Sequence, residues 1–348
     1  FETWKIVPGI SFDYNKDPFV TSQKMTPMAI EMLSDKRFES ERFFAWFHYM
    51  DPHDLYQPHD EAPKFGKKPR DLYDQEIFYT DLWIGKLLDF VEKQPWAKQT
   101  VIVVTADHGE AFGEHKLYRH AFELYEVLVR VPMFFVIPGR EARVIDAPRS
   151  HIDLVPTLFE LMGAKPNPEL RGKSFLPELF GEKAEPRDVV CDLPEDSHNE
   201  RRRSLRHGDW KIIALANDFR YELYDLKNDP EEKVDLIKKE KDKAKEMIDL
   251  YKATSKTIKD EVVKGGIAKH KDKLGRVAGR ACSRGGLRGD RPAQEQVAPA
   301  HAARVIAARR ACHSEAHRPG FFSTTFCTSW SISSHSGRIS AAFVRSGP

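Results

Sequence analysis

The chain has 348 residues, 41% of them hydrophobic, and a formal net charge of +2; about two domains fit that length, and no run of about eighteen apolar residues, as a membrane-spanning helix needs, occurs. Of the four cysteines only Cys191 precedes residue 264, and no CxxC spacing occurs, which excludes a disulfide framework or a zinc ribbon in the body. The charge is split: from Gly265 onward 14 Lys and Arg face 4 Asp and Glu, leaving 41 against 49 in the rest, so the basicity belongs to a tail and is weak ground for a nucleic-acid partner.

Residues 26–33, TPMAIEML, read as a helix with Thr26 as cap and Pro27 at the first helical position. The aromatic run 43–50, FFAWFHYM, suits a central strand. It ends at Asp51-Pro52-His53, where proline stops the ladder, so His48, Asp51 and His53 lie at or near its carboxyl end. A turn-rich loop over 54–71 follows, of the kind that shapes substrate access. Over 73–93, Tyr73, Ile77, Ile84, Leu88 and Val91 recur at helical spacing.

That helix leads into 100–116, TVIVVTADHGEAFGEHK, around which the chain is organised. Its β-branched start, 100–105, reads as a buried strand. Strand, helix and strand together read as the βαβ unit of a parallel sheet. Ligands in open α/β sheets sit beyond the carboxyl ends of the strands. Asp107 and His108 are delivered there, and a carboxylate oxygen and a neutral imidazole nitrogen both bind divalent metals. The same dipeptide also reads as a helix N-cap Asp beside an incidental His. Gly109 lets the chain turn away.

Glu114, His115, Lys116, Arg119 and His120 come next, then a third strand over 131–137. A short helix spans 152–162, with Gly163 as its C′ residue, and 170–180 reads as loop. From about Pro186 short runs separated by turns, 189–193, 203–206, 211–215 and 221–226, predict a small antiparallel sheet, followed by a charged helix over 231–259. From about Lys264 the composition shifts to Arg, Ala, Gly, Ser and His, which predicts disorder and fits an out-of-frame or otherwise non-native extension. The expected fold is α/β: a mostly parallel sheet flanked by helices over 1–184, a small α+β antiparallel domain over 185–263, and a basic low-complexity tail over 264–348.

His53, Asp107, His108, Lys116 and His120 thus gather near strand ends. A divalent ion, imidazoles and a lysine suit an anionic ester, neutralising oxygens in the transition state, and an imidazole can protonate a leaving alcohol. The combination FHYMDPH (47–53), YDQEIFYTD (73–81), ADHGEAFGEH (106–115), HAFELYEVLVRVP (120–132), HIDLVPTLFELMG (151–163) and ELYDLKNDP (222–230) resembles the sulfatases of the alkaline phosphatase superfamily. DHGE alone also resembles phosphoethanolamine transferases and phosphonate monoester hydrolases; the DPH and ELYDLKNDP elements favour sulfatases. The likeness covers about residues 1–262, the later part of the catalytic domain and the small C-terminal domain.

The resemblance implies a sulfuric ester hydrolase acting on a sulfated carbohydrate or an aryl or alkyl sulfate. It implies one divalent metal, Ca2+ with Mn2+ as the alternative, held by Asp107 and His108; many sulfatases carry Asn at the position of His108. It implies that His53 and His120 contact the sulfate and assist the leaving oxygen. Lys116 is a weaker substrate-binding candidate, and His115 a support for the metal loop. His48 and His151 read as structural, and His207 has no constellation around it. The family nucleophile, a formylglycine made within C/S-x-P-x-R, has no counterpart: Cys191 precedes Asp-Leu-Pro and Cys282 precedes Ser-Arg-Gly. The family's two early metal-site aspartates are also missing from this sequence. The chain therefore reads as the later portion of a sulfatase, inactive alone. A phosphonate or phosphodiester hydrolase and a non-catalytic sulfatase-like fragment are the alternatives. The compartment is left open, although many sulfatases are exported.

Overall fold

The computed structural model describes residues 1–10, 19–120, 122–195, 199–258 and 339–345. The first helix, α1 (Ser22–Leu33), starts a turn earlier than the sequence predicts, with Pro27 inside it. Its true N-terminus docks on a carboxylate from elsewhere. Asp51 Oδ1 accepts Thr21 N at 2.8 Å, Thr21 Oγ1 at 2.7 Å and Ser22 N at 3.1 Å, so an anion satisfies the orphan donors of the first turn. Thr26, expected as the cap, instead donates its hydroxyl to the Trp83 carbonyl and shares a hydrogen bond with the Tyr49 hydroxyl.

Strand β1 (Phe44–His48) leads through the loop to α2 (Pro69–Glu92), which opens with proline in its first turn and with Asp71 accepting from Lys68 N at 2.9 Å. Strand β2 (Thr100–Ala106) follows, then the two-residue strands β3 (Ala111–Phe112) and β4 (Tyr118–Arg119), the short helix α3 (Glu126–Val129) and β5 (Met133–Val136). Helix α4 (Leu154–Leu161) matches the predicted 152–162 element, and Gly163 behind it has φ +65. Within the stretch read as loop lies one turn of helix, α5 (Leu176–Leu179).

The sheet order is β1, β10, β2, β5, where β10 is Ile339–Arg345. Every adjacent pairing is antiparallel, which corrects the expectation of a mostly parallel sheet. Two causes are visible. Strand β10 lies between β1 and β2, which point the same way. Strand β5 starts beside the end of β2, Met133 opposite Thr105, so the 107–132 excursion returns to the same edge and the chain reverses. The disorder expected for the tail does not hold over 339–345, whose run ISAAFVR has the apolar, β-prone composition of a strand. The rest of that tail lies outside the described residues.

Alternation along the strands fills both faces. Phe47 and Val104 face Ala29 and Leu33 of α1 and Ile84, Leu87 and Val91 of α2. Val101 and Val103 face Leu154 and Leu158 of α4. Clamped between these helices, β1 and β2 present their carboxyl ends at one edge. That shared edge sets the geometry of the site.

The second unit is an antiparallel meander: β6 (Val189–Leu193), β7 (Arg202–His207), β8 (Trp210–Leu215) and β9 (Arg220–Asp225), close to the predicted runs. Helix α6 (Lys241–Ser255) is shorter than the 231–259 expected. Asp229 and Asp235 explain the delay, because their carboxylates accept Val234 N, Leu223 N and Ile237 N and hold the preceding residues in turns against β9. One sheet face packs Leu205, Ile212 and Leu223 on Met247 and Tyr251 of α6; the other packs Ile213, Leu215 and Tyr224 on Leu124. No helix among the described residues is long and apolar enough to cross a membrane.

Candidate active site

Three chain segments converge at the shared strand edge. The first continues from β1. Asp51 is fully buried, and besides the donors from α1 it accepts the Thr80 hydroxyl of α2 at 2.9 Å and the Ser22 hydroxyl. Two residues on, His53 is 3% exposed. Its backbone N donates to Glu76 Oε2 at 3.1 Å, its Nδ1 lies 3.3 Å from the Asp54 carbonyl, and its ring packs 4.6 Å from Phe19.

The second segment continues from β2. His108 N donates to Asp107 Oδ1 at 2.9 Å. His108 Nδ1 is 2.9 Å from the Gly109 carbonyl. A carbonyl only accepts, so Nδ1 carries the proton and the lone pair of the neutral ring lies on Nε2. That Nε2 is 3.7 Å from Asp107 Oδ1. Gly109 N donates to the Leu128 carbonyl at 2.7 Å, tying this loop to α3.

The third segment brings His120, which follows β4. Its ring centroid lies 5.1 Å from that of His108 and 5.7 Å from that of His53. The turn before it is tense: His115, Lys116 and Arg119 all have left-handed backbone, at φ +51, +63 and +65. Arg119 ties that turn to the other loop through Asp54 at 3.0 Å. His53, His108 and His120 thus form one series of rings, with Asp107 beside it.

The remaining candidates fall elsewhere. Lys116 is exposed, and no contact between its side chain and these four is found among the described residues. His115, expected to support the metal loop, instead stacks on Tyr125 at 3.9 Å and reaches the Glu231 carbonyl at 3.1 Å, bracing the turn against the small unit. His151 bonds to Thr105 Oγ1 at 3.0 Å. Burial lowers its pKa, opposed by the charge of nearby Asp107, so a residue read as structural borders the site. His207 pairs with Asp188.

Sequence reasoning missed Glu76 and Glu110, both buried. Glu76 shares the apolar stripe of α2 with Tyr73, Ile77 and Thr80. A charged residue on a core-facing stripe is the signal that marks it. Burial pushes its carboxyl up to about 8, against the opposing effect of the Gln57 and His53 N–H groups.

Asp107 and His108 suit a divalent cation in part. Oδ1 and Nε2 lie within a span that one ion can bridge, and the tautomer leaves Nε2 free to donate its lone pair. Among the described residues no group of three or more His, Cys, Asp or Glu is arranged to hold a metal. Two donors fall short of the roughly six to eight ligands that a calcium ion takes.

Three imidazoles and one carboxylate thus gather at the strand edge of a helix–sheet–helix domain. The Sulfatase family model matches residues 5–164, and the N-sulphoglucosamine sulphohydrolase C-terminal model matches 113–260. The chain belongs to the sulfatase family. Over 209 residues it is 30% identical to an N-acetylglucosamine-6-O-sulfatase of Bacteroides thetaiotaomicron, covering 57% of this chain and 37% of that relative. A choline-sulfatase of Rhizobium meliloti is 27% identical over 238 residues, 65% of this chain and 45% of the relative. The chain therefore spans less than half the length of these relatives. The solved structure of Ps i-CgsB shares the fold, with a TM-score of 0.59 and 21% identity over 75% of this chain and 60% of that one.

Proposed function

We propose that the strand-edge site belongs to a sulfuric ester hydrolase and binds the sulfate group of a sulfated carbohydrate. The observation that carries this reading is the ring series His108–His120–His53, drawn from three separate segments. Asp107 and His108 would hold a divalent cation, Ca2+ with Mn2+ as the alternative. When bound, such an ion neutralises negative charge on ester oxygens. The residues of the chain do the rest. His53, buried against Phe19 with Nδ1 facing the Asp54 carbonyl, presents a ring that donates to a sulfate oxygen when it is protonated on both nitrogens. His120, half-exposed between the other two, is placed to hand a proton to a departing alcohol. Support for an amino-sugar sulfate comes from the family of the C-terminal match and from the name of the Bacteroides relative.

No residue of the ring series is a nucleophile of the C/S-x-P-x-R kind, and no such motif occurs in the sequence. We infer that this chain binds the sulfate group without turning it over. Calorimetric titration of inorganic sulfate, with Ca2+ or Mn2+ present, tests the reading. Binding should occur, and His53→Ala or His120→Ala should each weaken it about tenfold, or ~1.4 kcal/mol. A wild-type chain that binds phosphate but not sulfate would favour the phosphate-ester alternative. Hydrolysis of a sulfated sugar by this chain alone would overturn the no-turnover inference.

A further inference from the structure

We propose that Glu76, on the core-facing side of α2, is the positioning residue for His53: its two carboxyl oxygens hold the loop that aims the imidazole at the site. The proposal rests on the sulfate-binding role of His53 proposed above. Glu76 is fully buried. Its Oε2 accepts the His53 backbone N–H at 3.1 Å and its Oε1 accepts the Gln57 N–H at 2.7 Å. The two donors are four residues apart, in a segment outside any helix or strand. One rigid carboxyl therefore ties both ends of the 53–57 turn.

The donor set demands this chemistry. Two N–H groups need two acceptor oxygens, which a carboxyl supplies even when protonated, its hydroxyl proton turned away, and an amide does not, because its NH2 would face an N–H. Burying a carboxyl is expensive compared with burying an apolar side chain, so its presence calls for such a task. Other polar groups crowd the same spot. His59 Nε2 is 4.0 Å from Oε1, and its ring stacks on Tyr79 at 4.0 Å. The carboxylates of Asp51 and Asp54 add negative charge. Asp51 anchors the start of the loop on α1 and α2, and Glu76 anchors its middle. With the backbone held on both sides, the His53 ring lies between Phe19 and His120.

The test uses the full chain with isotope-labelled histidine, observed by NMR. In the wild type a cross-relaxation contact should join the His53 and His120 rings. Glu76→Gln, which keeps the volume and one acceptor, should shift the His53 ring signals and weaken or abolish that contact, while near-ultraviolet circular dichroism stays unchanged. Glu76→Ala should abolish it. Unchanged His53 signals and an unchanged ring contact in folded Glu76→Gln would overturn the proposal. If neither variant folds, the wild type still decides. Its His53 and Gln57 amide shifts should both follow one and the same titration step, that of the Glu76 carboxyl, which burial raises, and two amides that titrate apart would overturn it. Inorganic sulfate is titrated in parallel. A wild type that fails to bind sulfate refutes the functional reading, while the ring contact still judges the positioning role on its own.

Discussion

Glu76 makes a residue-scale statement about stability as well as geometry. Its carboxyl is raised from an ordinary 4.5 to about 8 by burial, so the folded chain holds a proton that the unfolded chain releases at lower pH. The sign follows. Its contribution is fully present below about pH 4.5 and is lost as pH rises through about 8. His59 and His151 act in the opposite direction, since desolvation lowers both from 6.5, so folding gains as pH rises towards that value and gains nothing more above it. The difference between wild type and Glu76→Gln isolates the carboxyl. Urea midpoints at about pH 5, 7 and 9 should show wild type losing ground to Glu76→Gln as pH rises. A constant gap between the two proteins would refute this account. At this scale the sequence was readable where spacing carries chemistry: DPH and DHG sit at strand ends, and the structure brings their rings together with His120. It was not readable where a side chain serves a distant backbone group, as with Asp51 accepting from N–H groups of α1 or His115 donating to the Glu231 carbonyl. No periodicity encodes such long-range partners.

Among the elements, strands and helices with a clean period appeared nearly where expected, β2 and β6 to within a residue. Strand direction did not, because a buried apolar run reads the same in either orientation, and the choice was made by how 107–132 returns to the sheet edge and by β10 lying between β1 and β2. The α1 boundary moved because its capping carboxylate arrives from β1. One contact between elements yields a sharp expectation. The chain at Gly172 passes so close to the turn before α4 that an added Cβ would sit 1.9 Å from the Ile152 carbonyl oxygen. Backbone cannot give way as a flexible side chain can. That turn carries His151 to Thr105 and the Asp153 carboxylate to Lys173 N at 2.8 Å. Gly172→Ala should cost about 1–3 kcal/mol in a urea titration and break the His151–Thr105 contact, visible as a shift of the His151 ring signal. A variant as stable as wild type would show that the 170–173 segment lies farther from the turn.

For the molecule as a whole, the small antiparallel unit is joined to the site through a buried charge cluster. Lys211 of β8 is enclosed, its ammonium 2.8 Å from Glu126 Oε1 and 2.9 Å from Glu232 Oε1. Burial alone would lower its pKa, but the two carboxylates outweigh that and raise it, keeping it charged. Glu126 opens α3, and its backbone N donates to Glu232 Oε2 at 2.5 Å. Helix α3 in turn holds Gly109 through the Leu128 carbonyl, one residue from His108. Tyr125 bonds Glu222 at 2.8 Å and stacks on His115, and Arg202 pairs with Glu123 at 2.9 Å. The segment from Glu123 to Val129 is therefore gripped by the small sheet on one side and holds the Asp107–Gly109 loop on the other. Lys211→Met should leave two carboxylates facing each other in a dry space and cost about 3–5 kcal/mol. The added replacements Glu126→Gln and Glu232→Gln should recover much of that loss, because neutral partners remove the repulsion. Sulfate affinity should follow the same order, falling in Lys211→Met and returning in the triple variant, if the small unit sets the position of His108 and His120. Urea unfolding together with sulfate titration on all three proteins measures both quantities. Sulfate affinity that stays at the wild-type value while stability drops would mean that the two units share a chain without sharing a site.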